Sequence, residues 1–225
     1  MPVKIITTKT AVNHANVLVY GESGIGKTVL QTTVPDPIII SAEKGLMSVS
    51  DHDIPVIEVH NLAEIGEAYE YLKSAIDKYQ TVCLDSLSEI AEAVLAEQKS
   101  LYADGRQAYG KTNDLVAAMI KSFRDLPFNT YFIAKQGYVE DESGVSKYMP
   151  LMPGKTLTHH LPYYFDIVMC MRMMKDDEGN VIRYLQTQPD MKFEAKDRSG
   201  KLDKAERAHL GRLFDKVLKQ GANNG

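Results

Sequence analysis

The sequence predicts an α/β fold: a mostly parallel sheet flanked by helices, followed by C-terminal antiparallel strands, hairpins and a docking helix. Three observations predict it. Short β-rich runs alternate with helical stretches, as in βαβ units. A glycine-rich loop follows the first strand directly and opens into a helix. Beyond residue 137 the alternation stops and hairpin turn signals take over. A chain of 225 residues suits a single domain, placed here over residues 1–220. The tail Gly221-Ala222-Asn223-Asn224-Gly225 reads as flexible.

The elements follow in order. Val17 to Tyr20 is an apolar strand feeding the glycine loop, and a short helix runs from Lys27 and ends before Pro35. Pro37 to Ala42 and Val56 to Val59 are strands. Asn61 to Lys78 is a helix, capped by Asn61 with Glu64 three residues on, and Leu62, Ile65, Tyr69, Leu72 and Ile76 share a face. Thr81 to Asp85 is a buried strand, after which Ser86 and Glu89 form a capping box. The polar stretch Tyr102 to Arg106 separates that helix from another over Asn113 to Asp125. Thr130 to Lys135 is a further buried strand. Tyr138 to Pro150 is a hairpin about an Asp-Glu-Ser-Gly turn, and Phe165 to Met174 pairs with Val181 to Gln188 across Asp177-Glu178-Gly179-Asn180. Leu210, Leu213, Phe214, Val217 and Leu218 form one stripe of a closing helix.

Composition bounds the function. With 44% hydrophobic and 25% charged residues a normal core can form. A net charge of −4 excludes a global positive field, so contact with nucleic acid must come from a local patch or from assembly. Cys83 and Cys170 lie in apolar strand-like runs and read as buried reduced thiols. The start, Met1-Pro2-Val3-Lys4, has no apolar leader core, and no apolar run reaches membrane-spanning length. The expectation is a soluble cytoplasmic protein with no membrane partner.

The chemistry is concentrated in Gly21-Glu22-Ser23-Gly24-Ile25-Gly26-Lys27-Thr28, a full G-x-x-x-x-G-K-[ST] loop. Glycines let backbone N–H groups converge on phosphate oxygens, and the helix start adds partial positive charge. Lys27 is assigned to the β- and γ-phosphates of ATP, and the Thr28 hydroxyl to Mg²⁺. Mg²⁺ needs a second anchor at a strand end, and Val82-Cys83-Leu84-Asp85 supplies Asp85, which has a helix-capping alternative. Ser86 occupies the place where many ATPases carry a catalytic Glu. That leaves Glu43, after Ile38-Ile39-Ile40-Ser41-Ala42, to activate water, or else to be a solvated loop acid. Gln136, just past Tyr131-Phe132-Ile133-Ala134-Lys135, is a candidate sensor of the γ-phosphate, with an inert loop residue as the alternative. His159-His160 lacks ligand partners at metal-site spacing. Met169, Met171 and Met173 alternate as core residues of a strand.

Glu43, Asp85-Ser86 and Gln136, each at a strand end after the P-loop and in that order, resemble the core of RecA-type recombinase ATPases. The chain is similar to small phage-encoded P-loop proteins of the RecA-like superfamily, some of which assist single-strand annealing or recombination. The likeness rests on the P-loop, Ile40-Ser41-Ala42-Glu43-Lys44-Gly45, Leu84-Asp85-Ser86, Asp104-Gly105-Arg106-Gln107-Ala108-Tyr109-Gly110, Pro153-Gly154-Lys155, Phe165-Asp166 and Ala195-Lys196-Asp197-Arg198-Ser199-Gly200.

It implies a RecA-like ATPase working as a homo-oligomer on single-stranded DNA, with recombination or single-strand-binding proteins as partners. In that class the Glu43 position activates water and the Gln136 position couples phosphate state to the following DNA loop; in some oligomeric members a Lys-x-Arg pair, here Lys196 and Arg198, reaches a neighbouring subunit's γ-phosphate, with a solvated basic turn as the alternative. The expectation departs from the recombinases in placing no separate polymerisation or DNA-binding domain in these residues, and in the acids Glu140, Asp141 and Glu142 where a DNA loop is due. Tyr102, Arg106, Tyr109 and Lys111 mix aromatic and basic residues as a single-strand groove does, or form a surface loop at a helix junction. The competing functions are a helicase-loader or packaging-type motor, a small-molecule kinase, and a nucleotide-dependent switch without DNA binding.

Overall fold

The computed structural model describes residues 7, 13–43, 45–140 and 144–218. Lys44, Asp141, Glu142 and Ser143 of the expected turn, Lys219, Gln220, residues 1–6 and 8–12, and the tail expected at 221–225 lie outside them.

The sheet contains β1 (Asn16–Gly21), β2 (Pro37–Ser41), β3 (Val56–Glu58), β4 (Thr81–Asp85), β5 (Asn129–Glu140), β6 (Ser146–Leu151), β7 (Ile167–Lys175), β8 (Val181–Gln186), β9 (Lys196–Asp197) and β10 (Ala205–Arg207). Its order is β10-β8-β7-β1-β5-β4-β2-β3, with β6 on β5 and β9 on β7. From β7 to β3 every neighbouring pair is parallel, and β6, β8, β9 and β10 add antiparallel pairings. Val17, Leu18 and Val19, Ile38, Ile39 and Ile40, and Val82, Cys83 and Leu84 are buried throughout their runs. Such runs show no alternation because the parallel strands are covered on both faces.

The helices are α1 (Leu62–Ser74), α2 (Leu87–Leu101), α3 (Gly105–Arg124), α4 (Lys155–His160) and α5 (Leu210–Leu218). On one face α1, α2 and α3 bury Ile65, Leu72, Ile90, Val94, Val116, Ile120 and Phe123 against Leu18, Ile38, Ile40 and Leu84. On the other, α5 lays Leu210, Leu213, Phe214 and Val217 beside Val17, Val19, Ile39 and Leu30. Gly211 makes that docking possible: a Cβ there would approach Thr33 O to 2.5 Å.

The caps hold as read, with Glu64 N–H donating to Asn61 Oδ1 at 3.0 Å and Glu89 N–H to Ser86 Oγ at 3.4 Å. Several boundaries differ. The segment after Lys27 is a 3-10 turn, Thr28–Thr33, whose Thr32 and Thr33 hydroxyls donate back to the carbonyls of Val29 and Leu30. α1 stops at Ser74, so Ile76 is outside it and 46% exposed. α3 begins at Gly105, capped by Asp104, eight residues before the expected Asn113. Local capping thus converts part of the expected break into helix, and Arg106, Tyr109 and Lys111 are helical. β5 runs on to Glu140, which puts Gln136 inside a strand paired with Pro150 of β6. Met169 and Met171 are buried as expected, but Met173 is 53% exposed because β7 outruns the core there.

Candidate nucleotide site

The strand register brings the candidate residues to one edge. Gly21 ends β1 level with Lys135 of β5, and Ser41 ends β2 level with Asp85 of β4. A cleft of about 1100 Å³ opens there, lined by the P-loop, Glu43, Asp85, Ser86, Glu89, Lys135 and Gln136, and on its other side by Leu30, Thr33, Met171, Ile182, Arg183 and Ala208. Ligands of open α/β sheets bind at this carboxyl end, where connections diverge to the two faces.

The loop has the backbone that its glycines allow. Gly24 and Gly26 have φ of 75° and 108°, values that side-chain-bearing residues rarely adopt. Gly21 packs so closely that a Cβ would lie 3.0 Å from Met171 O. Lys27 Nζ donates to Gly21 O and Glu22 O, both at 2.8 Å, folding the ammonium over the loop. The Tyr131 hydroxyl, from the buried centre of β5, donates to Lys27 O at 2.8 Å and pins the loop's base. Burial lowers the Lys27 pKa against the opposing pull of Asp85 and Glu43.

Beside the loop, Thr28 Oγ1 donates to Asp85 Oδ2 at 2.8 Å and Gln31 Nε2 donates to the same oxygen at 2.6 Å. Burial raises the Asp85 carboxyl to about 6; the Thr28 and Gln31 hydrogen bonds and Lys27 work in the other direction, and Glu43 adds to the rise. Gln31 is fully buried, and its Oε1 has no hydrogen-bond partner among the described residues. Hard oxygen donors of hydroxyl and carboxylate type at a phosphate loop fit Mg²⁺, which retains waters and takes few protein ligands.

Glu43 meets Asp85's neighbour: Ser86 Oγ donates to Glu43 Oε1 at 2.5 Å, and Ser41 Oγ donates to Glu43 O at 2.6 Å. The Asp85–Ser86 peptide is cis. Gln136 lines the same cleft and accepts a contact from Cys170 Sγ at 3.5 Å. Cys83 and Cys170 are buried free thiols, and burial pushes Cys170 up to about 12.

Other candidates lie elsewhere. Lys196 and Arg198 are at the amino end of the sheet, where Lys196 pairs with Val168 and Arg198 N–H donates to Asp166 O at 3.1 Å. Lys196 Nζ donates to Pro162 O at 2.7 Å, and Arg198 reaches Asp166 Oδ1 at 3.4 Å. Within one subunit these two cations are therefore away from the phosphate loop. Tyr102, Arg106, Tyr109 and Lys111 are exposed. Lys99 Nζ stands 5.4 Å from the centre of the Tyr109 ring, whose edge packs on Gly154.

Sequence reasoning passed over Gln31, Lys135 and Arg183. The Gln31 spacing, three residues beyond Thr28 on one turn, was a usable signal. Lys135 is ion-paired with Glu89 and with Glu92, the latter at 3.0 Å. Arg183 reaches the cleft only through the β7–β8 pairing, which local sequence does not disclose.

A phosphate loop at a strand's carboxyl end, a lysine folded into it and a Thr–Asp oxygen pair beside it define a P-loop nucleotide-binding ATPase core. The family model described as an AAA domain matches residues 13–199, and the chain belongs to that family. The family implies a nucleotide, usually used with Mg²⁺. No curated protein matches the chain. Among the described residues no helix is long and apolar enough to cross a membrane.

Proposed function

We propose that the protein is an ATP-hydrolysing, RecA-like protein that assists DNA recombination or single-strand annealing as an oligomer on single-stranded DNA. The observation that carries the reading is the convergence of Lys27, Thr28, Glu43, Asp85 and Gln136 on one cleft, with β5 placed between the P-loop strand and the Asp85 strand. In this reading Lys27 neutralises the β- and γ-phosphates, and Glu43 orients and deprotonates the attacking water. Gln136 contacts the terminal phosphate from the strand that continues into the β5–β6 hairpin. Thr28 and Asp85 would hold Mg²⁺, which when bound would offset the charge of the phosphates.

Tyr102, Arg106, Tyr109 and Lys111 are the proposed DNA-facing residues, and Lys196 with Arg198 the proposed cross-subunit pair. The exposure of the first set supports its part, as does the position of the second set away from its own subunit's cleft. The decisive experiment is ATP turnover with and without single-stranded DNA, with oligomeric state followed by light scattering. The wild type should turn over faster with DNA, and Lys27→Ala should lose ATP binding by about 2–5 kcal/mol, as when one partner of a buried charge pair is removed. Turnover indifferent to DNA, with no DNA binding at low salt, removes the recombination role. The Ser86–Glu43 hydrogen bond favours a second reading, a nucleotide switch with slow turnover, because it engages the carboxylate that must take a proton.

A further inference from the structure

The expected second cation for the phosphates, Lys196 or Arg198, is held at the far end of the sheet, but the cleft has another on its opposite wall. Arg183 lies on β8, opposite Met173 of β7, and lines the cleft. A Cβ built on Gly26 would lie 3.4 Å from Arg183 Nε and 3.5 Å from its Cδ. The guanidinium thus stands against the glycine that immediately precedes Lys27.

Several other cations are engaged. Arg172 Nη1 donates to Gln186 Oε1 at 2.7 Å, Arg198 meets Asp166, and Lys216 meets Asp203 and Glu206. Arg183 is exposed to the cleft, and among the described residues no carboxylate pairs with it. Its surroundings are acidic: Glu22, Glu43, Asp85 and Glu89 line the same cleft, while Lys135 is committed to Glu89 and Glu92. That leaves Lys27 and Arg183 to meet a polyphosphate.

We infer that Arg183 is an in-subunit clamp on the α- and β-phosphates of the nucleotide. The inference rests on the nucleotide-cleft reading above. The planar guanidinium fork matches two phosphate oxygens at once. Which phosphates it meets follows from the walls. Glu43, Asp85 and Gln136 come from β2, β4 and β5 and mark where the terminal phosphate is attacked. Arg183 approaches the back of the loop from β8, on the other side of β1 and β7. It therefore holds the part that ATP and ADP share.

The test is calorimetric titration of ADP and of a non-hydrolysable ATP analogue into wild type, Arg183→Ala and Arg183→Lys, with steady-state turnover alongside. Arg183→Ala should weaken both nucleotides by the same factor, on the order of tenfold to a hundredfold for one lost charge-assisted pair. In turnover the loss should fall on KM rather than kcat. Arg183→Lys should recover part of the affinity, because an ammonium keeps the charge without the fork. Unchanged affinity for both nucleotides overturns the inference and leaves Arg183 a solvated side chain. Loss confined to the triphosphate analogue, or to kcat at saturation, overturns it in favour of a role at the terminal phosphate. A wild type that binds neither nucleotide overturns the reading of the cleft itself.

Discussion

The two walls of the cleft are made of different kinds of sheet. The wall of β2, β4 and β5 is built on parallel strands, with Asp85 ending β4, Glu43 just past β2, and Gln136 where β5 passes into its antiparallel pairing with β6. The wall of β7 and β8 is an antiparallel hairpin, and it presents Met171, Ile182 and Arg183. On the first wall the polar groups are bonded to one another: Thr28 and Gln31 to Asp85, and Ser86 to Glu43. On the second, Ile182 is 39% exposed and Arg183 points into the cleft without a carboxylate among the described residues. Chemistry needs atoms fixed before the reaction, whereas adhesion to a flat ring or a phosphate pair tolerates looser supports. On the proposed function, the comparison divides the cleft into a reacting wall and a holding wall.

The sharpest way to break that division is Glu43→Gln. It should leave ATP affinity in place and lower turnover about 10²- to 10⁴-fold, the usual worth of a positioned acid or base. Single-turnover hydrolysis at saturating ATP is the measurement, and a rate within tenfold of wild type would move the chemistry off the first wall.

A smaller effect is expected on stability from Asp85→Asn. Burial holds the Asp85 carboxyl at about 6, above its ordinary 3.8. The folded chain therefore keeps this proton more tightly than the unfolded one. The stabilising contribution is full below the unfolded value and is lost as pH rises through about 6. Asp85→Asn should then be more stable than wild type by on the order of 1–3 kcal/mol at about pH 8, with the gap closing toward pH ~4. Thermal melts across that range check it; a gap independent of pH would show that burial is not the cause. The same substitution should reduce Mg²⁺-dependent turnover.

The smallest effect is assigned to the holding wall. Ile182→Ala should weaken nucleotide binding roughly twofold to fivefold and leave kcat alone, as expected for trimming a half-covered apolar side chain. Equal losses in kcat and affinity would mean that the two walls do not divide their labour.

The phosphate loop, Glu43 and Asp85 were legible in the sequence because each follows a rule of position. Gly21 to Thr28 is a spaced motif, and Asp85 and Glu43 close apolar runs that only a doubly covered strand explains. Helix caps were legible for the same reason, since Asn61 and Ser86 act within one turn. What was not legible depends on distant pairing. Arg183 reaches Gly26 from far along the chain, through a register that sets it opposite Met173. Gln136 was read as lying just past a strand's end because that strand continues only by pairing with β6. Arg106, Tyr109 and Lys111 were read as a connection because Tyr102 to Arg106 is a polar break, yet Asp104 accepts from Arg106 N–H at 2.9 Å and starts α3 there.

Tyr20 stands one residue before the phosphate loop, fully buried, and its hydroxyl proton is shared between Tyr148 O at 2.9 Å and Glu194 O at 2.6 Å. Gly21 rests on the backbone of Met171, and Thr33 receives Leu210 N–H at 3.0 Å. The seat of the phosphate loop is thus assembled across a sequence separation of up to 174 residues. A lesion near Glu194 therefore reaches the support of Tyr20 without touching the motif itself.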